Sequence, residues 1–458
     1  MKIWTWLQDL RITIEPLMLL LAACNTARSI VTPALSEAKM KRVYPAPQNV
    51  TGKDLDKFYN KKMVLWDNNY EYVNLPIACI AGIVYGYDYR GRKLPLLIGI
   101  ASLLVENAVR TLIWSDKTDI SLGYLYPTAV ACGLLGDFSL TMSCINAYLA
   151  DAFKDKIKLS YRMVIVSILF SLGSFIASKF TKHLVIWTSK ISVLCIVEIL
   201  LLIILLVHWI VLDNKKVMKT PVPDDENEQR LLGSEKSFLT IVRMGFLSVY
   251  ESAKVFVVRR DGHIRLFLYL SFVANFLDQF IYGEEKGLLG TYVRLPPFKW
   301  DTSEWANYKS WRPIVQMVGM AVGMLIFKRI CHMRDTLIIC LAIASMGCCV
   351  IVIGLAHSSW MIYASLLPGS LHGLLNPMTY TFIACLVAPD EVGKAYAISS
   401  IAQKIAGIMQ SLVLQNIYIA TVDWYQGFVW LLMGGLSFFA CGIYGVVHVL
   451  AKRENVGS

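Results

Sequence analysis

Apolar residues in this chain come in long runs separated by short polar turns. A helix needs about twenty consecutive apolar residues to cross hydrocarbon. By that ruler twelve segments qualify, near 13–34, 70–87, 94–114, 121–150, 162–181 and 184–212, then 264–283, 312–330, 336–356, 360–388, 395–420 and 427–450. Segments 121–150 and 360–388 are too long for one perpendicular helix, which predicts tilt or extension beyond the bilayer. Asn376-Pro377 is read as a break in the second of them. A polar stretch at 213–262, with Pro221, Pro223 and the run Asp224-Asp225-Glu226-Asn227-Glu228, divides the segments six and six. The predicted fold is therefore all-α and membrane-embedded. Twelve transmembrane helices form an N-terminal half (1–212) and a C-terminal half (263–458), joined by a cytoplasmic linker (213–262).

Composition agrees. The chain is 56% hydrophobic and only 17% charged, against about a quarter charged in soluble domains. Its net charge of +11 is not a nucleic-acid footprint, because the cations sit in short clusters between apolar runs. Arg90, Arg92 and Lys93, then Lys154, Lys156 and Lys158, then Lys328, Arg329 and Arg334 fall on one side of the predicted membrane. The turns near 357–360 and 421–426 carry no Lys or Arg. Basic short loops mark the cytoplasmic side, so both termini are predicted cytoplasmic. The opposite loop 35–69 mixes Lys39, Lys41 and Arg42 with Glu37, Asp54 and Asp56. It contains the sequon Asn49-Val50-Thr51, which makes Asn49 the predicted glycosylation site. Leu17–Cys24 resembles a signal-peptide core, but Glu15-Pro16 before it and Arg28 after it fit a first membrane span.

Ten of the eleven cysteines lie inside apolar runs and read as core residues, not disulfide or metal ligands. No metal or cofactor is expected. The chain carries no metal-spaced His/Glu set, no Gly-x-Ser-x-Gly and no paired catalytic aspartates, so an enzyme is not expected either. Trp209, Trp300, Trp305, Trp311, Trp360, Trp424 and Trp430 lie near predicted segment ends, where an aromatic belt is expected.

Charges inside a membrane are expensive and default to functional candidates. Glu15, Arg28, Glu106, Arg110, Asp137, Glu198, Asp278 and Lys404 all fall within the apolar segments. Asp137 lies mid-segment beside Gly136 and Phe138, with no basic residue near it in sequence, and is the first candidate for proton coupling or substrate positioning. Asp278 is the second. Glu106 and Arg110 are four apart on one helical turn and read as a structural ion pair. Arg28 and Lys404 are cations for an anionic solute, or else partners of Glu15 or Asp278. Glu198 lies in a lipid-like run, a setting for a protonated acid. His208 and His263 fall near the cytoplasmic edge and read as solvated.

Two motifs and several short segments carry a resemblance. Asp88-Tyr89-Arg90-Gly91-Arg92-Lys93 resembles the loop between helices two and three of major facilitator proteins, although Val84 stands where a glycine usually precedes it. There Asp88, Gly91, Arg92 and Lys93 would form a gate. Pro389-Asp390-Glu391-Val392-Gly393-Lys394 resembles the major facilitator loop between helices ten and eleven, and Asp151 and Arg162 flank the equivalent loop of the first half. With Ile14-Glu15-Pro16, Gly136-Asp137-Phe138, Ala147-Tyr148-Leu149-Ala150-Asp151, Tyr161-Arg162-Met163 and Gly393-Lys394-Ala395-Tyr396, the chain resembles the solute carrier 46 family, to which the proton-coupled folate transporter belongs. That resemblance implies secondary transport by alternating access. It also implies a small organic anion as solute (a pterin, a folate-like compound or a peptidoglycan fragment) and protons as a coupling partner. Ser167 stands where the folate transporter has its acidic residue in helix five, and Tyr380 where it has an arginine in helix ten, so coupling and specificity are expected to differ. The linker segment Glu228-Gln229-Arg230-Leu231-Leu232 resembles an acidic dileucine sorting signal, which leaves plasma and endolysosomal membranes both open. The rival reading is a transport-inactive sensor or scaffold that signals through the linker.

Overall fold

The computed structural model describes residues 14–47, 51–86, 93–118, 120–152, 156–211, 247, 249–250, 253–258, 260, 262–388 and 391–454. Every regular element among them is helical. Helices α1 (Glu15–Val43), α2 (Lys53–Gly86), α3 (Lys93–Trp114), α4 (Leu125–Leu134), α5 (Asp137–Ala152), α6 (Lys156–Trp187) and α7 (Lys190–Val211) make the first series. The second series is α8 (Ile264–Tyr292), α9 (Thr302–Gly323), α10 (Asp335–Gly354), α11 (Ser359–Ala364), α12 (Leu375–Leu386), α13 (Val392–Met409), α14 (Asn416–Thr421) and α15 (Phe428–Arg453). Among the described residues eight helices are long and apolar enough to cross a membrane. Asn49, Asp88, Gly91 and Arg92, and the linker's acidic and dileucine runs, lie outside the described residues, and Lys93 is the first residue of α3.

Three elements differ from expectation. The loop at 35–69 is mostly helix, since α1 runs on to Val43 and α2 starts at Lys53. Acids in the first turn of α2 (Asp54, Asp56) and bases in the last turn of α1 (Lys41, Arg42) oppose the helix dipoles favourably, so polar sequence continues the helices past the apolar runs. The long segment 121–150 is resolved by a break, not by tilt alone. Helix α4 ends at Leu134, and Gly136 (φ +85°) and Asp137 (φ +55°), the first residue of α5, are both left-handed. In segment 360–388 the break lies upstream of Asn376-Pro377. A 3₁₀ stretch, Pro368–Leu374, separates α11 from α12. Pro377 instead occupies the first turn of α12, where its missing N–H costs nothing. Two helices also carry π-turns, Met324–Ile330 continuing α9 and Gln410–Gln415 joining α13 to α14.

The chain divides into two compact units. The first comprises 1–28, 73–177 and 190–250, and the second 29–72, 178–189 and 251–458. The first unit's core gathers Leu17, Leu21, Ile100, Leu103, Ile145, Val197 and Leu201. Close helix approach there uses small residues: a Cβ on Gly173 of α6 would stand 2.3 Å from the Leu19 carbonyl oxygen of α1. The second unit's core gathers Phe267, Ile338, Ile343, Phe382, Tyr444 and Val447. Trp300, Trp305 and Trp430 belong to its interior instead of to an interfacial belt. Trp300 Nε1 donates to Ser359 Oγ at 2.8 Å, Trp305 stacks on Tyr308, and Trp430 meets Tyr292 edge-on. Trp209, Trp311, Trp360 and Trp424 are exposed.

Candidate functional site

In the first unit the break between α4 and α5 places Asp137 at the start of a helix, where its Oδ1 accepts from the Phe138 N–H at 2.5 Å. A non-glycine residue at positive φ is held there by its surroundings at a cost of order 1–3 kcal/mol, and such positions cluster at functional sites. The charged groups that face Asp137 are Arg28 of α1 and Glu106 and Arg110 of α3. Glu106 sits at the centre of this cluster. Its Oε2 accepts from Arg28 Nη1 at 2.5 Å, and its Oε1 lies 2.9 Å from Arg110 Nε. The spacing of Glu106 and Arg110 thus brings them together on one turn, and the same carboxylate takes a second cation from another helix. Arg28, read from sequence as an anion receptor or a partner of Glu15 or Asp278, is instead held by Glu106 and by Asn25 Oδ1 (3.3 Å). The Arg110 guanidinium lies over the Trp114 ring at 5.3 Å, a cation–π contact.

One turn along, Asn107 Nδ2 donates to Glu198 Oε2 of α7 at 2.7 Å and to the Leu194 carbonyl at 3.0 Å. Glu198 is therefore an accepting partner between helices and does not stand alone in a lipid-like run. His208 is buried, with Nδ1 2.8 Å from the Ile204 carbonyl oxygen, contrary to the solvated role read for it. His263 is exposed and pairs with Glu454. Ser167, read from sequence as standing in place of a helix-five acid, is exposed on α6.

In the second unit a groove between α8, α12 and α13 is lined by Phe272, Phe276, Asn275, Gln279, Asn376, Thr379, Ser399 and Gln403, with Leu375, Ile383 and Ala402. Carboxamides and hydroxyls supply its polarity, and two phenyl rings its apolar surface. Lys404 follows Gln403 on α13 and Tyr380 follows Thr379 on α12, so both predicted residues share helices with the lining.

Asp278 is fully buried, and its partner is a residue that the sequence reading missed. His372 Nε2 lies 3.1 and 3.0 Å from the two carboxylate oxygens of Asp278. His372 belongs to the 3₁₀ stretch. The available signal was composition: Pro368-Gly369-Ser370-Leu371-His372-Gly373 is a poor helix sequence with a titratable group in its middle.

Comparison with known proteins fits these features. The chain is 24% identical over 379 residues to the "Probable peptidoglycan muropeptide transporter SLC46" of Drosophila melanogaster, covering 79% of this chain and 67% of that protein. It is 20% identical over 371 residues to the "Lysosomal proton-coupled steroid conjugate and bile acid symporter SLC46A3" of Gallus gallus, covering 79% and 74%. Among solved structures, a peptide transporter POT bound to sulfate superposes with a TM-score of 0.62 at 13% identity, over 96% of this chain and 95% of that one. The human organic anion transporter MFSD10 superposes with a TM-score of 0.60 at 13% identity, over 93% and 96%. At such identity these two show the fold. The Major Facilitator Superfamily model matches residues 75–411, the greater part of the chain. With solute carrier 46 proteins among its relatives, this chain is a membrane transporter that belongs to the major facilitator superfamily.

Proposed function

We propose that the protein is a proton-coupled secondary transporter of a small organic anion, and that Asp137 carries the coupling. The observation that carries this reading is the charge count of the first unit's cluster. Arg28 and Arg110 contribute two positive charges and Glu106 one negative charge. With Asp137 ionised the cluster is neutral, and with Asp137 protonated it is one charge positive. A unit charge about 4 Å away interacts by about 4 kcal/mol at an effective dielectric near 20. Loading one proton thus converts a site indifferent to an anion into one that attracts it by that order, and losing the proton removes the attraction and lets the anion leave. The two ligands arrive and leave together, which is symport.

The second unit supports a solute that also bears neutral hydrogen-bonding groups, because its groove offers amides, hydroxyls and phenyl faces. A peptidoglycan fragment fits that description, and a folate-like compound or pterin does so with fewer hydrogen bonds. The relatives' names, a muropeptide transporter and a lysosomal symporter, point the same way and favour an endolysosomal membrane. The basic short loops support a cytoplasmic position for both termini.

The test is uptake by the full chain in liposomes, with labelled muropeptide, steroid sulfate and folate, at mildly acidic and neutral pH. Wild-type protein is expected to take up at least one anion faster at acidic external pH. Asp137→Asn is expected to lose that stimulation while reconstituting normally. Solute-driven proton flux that survives in Asp137→Asn overturns the assignment.

A further inference from the structure

We infer that the buried Asp278–His372 pair is a second proton-binding site, set behind the groove of the second unit and fastening the irregular stretch Pro368–Leu374. The inference rests on the proton-coupled reading above but concerns a different unit and different residues. Its first support is geometric. Asp278 is 0% exposed and His372 5% exposed, and one ring nitrogen is shared nearly equally between both carboxylate oxygens. With the carboxylate ionised, Nε2–H donates and Nδ1 is the atom that takes the next proton. The pair then passes from a net charge of −1 to zero. A buried charge is tolerated where it is paired and hydrogen-bonded, and in the proton-loaded form each charge of the pair has that partner.

The surrounding groups are consistent with a titrating pair. On α8, one turn from Asp278, the Tyr282 ring lies 4.4 Å from the His372 imidazole. Arg312 of α9 sits over the other part of that assembly, 5.6 Å from the Tyr282 ring centroid. From α10, Cys349 closes the site against the 3₁₀ stretch, its Sγ 3.0 Å from where a Gly369 Cβ would stand. Among the described residues Arg312 is a fixed charge near the pair, and it lies against the same Tyr282 ring that packs on the imidazole.

The second support is position. A mid-helix 3₁₀ stretch often marks a hinge or a sequence under strain, and here it is fastened through His372 to Asp278 and through the Pro368 carbonyl, which accepts from Ser345 Oγ. Gln279 and Leu375 line the groove, the first adjacent to Asp278 and the second three residues beyond His372. A change in the strength of the pair is therefore felt at the groove wall.

The test uses the wild-type full chain in lipid nanodiscs, with no solute present. Histidine hydrogen–deuterium exchange read by mass spectrometry reports the protonation of each imidazole separately. Between about pH 4 and about pH 9, the range in which histidine charge responds to its surroundings, His372 is expected to titrate. Its midpoint should move by about 1–3 units in Asp278→Asn, as befits loss of an adjacent opposite charge. Amide exchange across 366–376 should be about tenfold more protected in the proton-loaded form, the scale of one hydrogen bond to a charged group. In His372→Gln it should be indifferent to pH beyond the intrinsic chemistry. An imidazole that does not titrate in the wild type, or a midpoint unmoved by a folded Asp278→Asn, overturns the inference. Either result leaves the Asp137 uptake experiment untouched, so the two readings fail separately.

Discussion

Removing the Glu106 carboxylate is the sharpest perturbation of the first unit. Glu106→Gln is nearly isosteric but strips the negative charge from between Arg28 at 2.5 Å and Arg110 at 2.9 Å. Two guanidinium groups then share one buried position with a carboxamide that can accept from only one of them. Breaking a buried pair by deleting one partner costs about 3–5 kcal/mol. The Arg28 side chain is 18% exposed, so water screens part of the loss and the lower figure, about 3 kcal/mol, is expected. That is roughly a hundredfold fall in the folded-to-unfolded ratio. The assay is reversible unfolding in mixed micelles for Glu106→Gln, Arg28→Gln and the double variant. If the carboxylate's main task is to neutralise both arginines, removing Arg28 as well should recover more than 1 kcal/mol through coupling of contacting residues. A single variant within about 0.5 kcal/mol of wild type, or a strictly additive double, refutes the triad as described, since surface-like substitutions fall in that range.

Two further expectations concern the second unit. Asn60 is buried, donating to the Thr291 carbonyl at 2.8 Å and accepting from Tyr418 Oη at 2.9 Å. Asn60→Ala should destabilise by about 1–3 kcal/mol, because two buried polar groups lose their partner, and adding Tyr418→Phe should restore part of that in thermal unfolding. Glu454 lies outside the membrane segments, and the His263 side chain that hydrogen-bonds it holds its carboxyl below the ordinary carboxylate range. A depressed carboxyl keeps its contact from neutral pH down through that range and loses it only as pH falls further. In His263→Ala the end of α15 should therefore become exchange-competent at a higher pH, and identical acid profiles for amide exchange at 450–454 would count against the pair.

Much of the architecture was legible from the apolar runs, because desolvation of helix-length segments is a property of composition and not of packing. Glu106 and Arg110 were equally legible, since a four-residue spacing places two side chains on one turn whatever surrounds them. What the runs hid is backbone detail inside them. Gly136-Asp137 looks like an ordinary tolerated glycine until the left-handed φ values show a break that turns Asp137 into a helix-starting residue. Partners across helices were hidden for a different reason. Arg28 is 78 residues from Glu106 and His372 is 94 from Asp278, and no local rule selects one distant carboxylate over another. Trp300, Trp305 and Trp430 failed as belt residues because position along a segment says nothing about which side of the helix faces protein.

The π-turn at Gln410–Gln415 has an evolutionary reading. Such a turn is an α-helix that has absorbed one residue without lengthening the chain path by a full step. In a relative that lacks it, a sequence comparison should open a one-residue gap somewhere in 410–415. Loss of one codon there would return the helix to 3.6 residues per turn and rotate everything beyond it by about 100°. Ser411 and Gln415, which reach Glu71 from this turn, would then point elsewhere, and so would Tyr418, which holds Asn60. A single inserted residue thus sets the aim of a whole row of polar side chains, and it is a place where close relatives can diverge in function without changing any of the residues themselves.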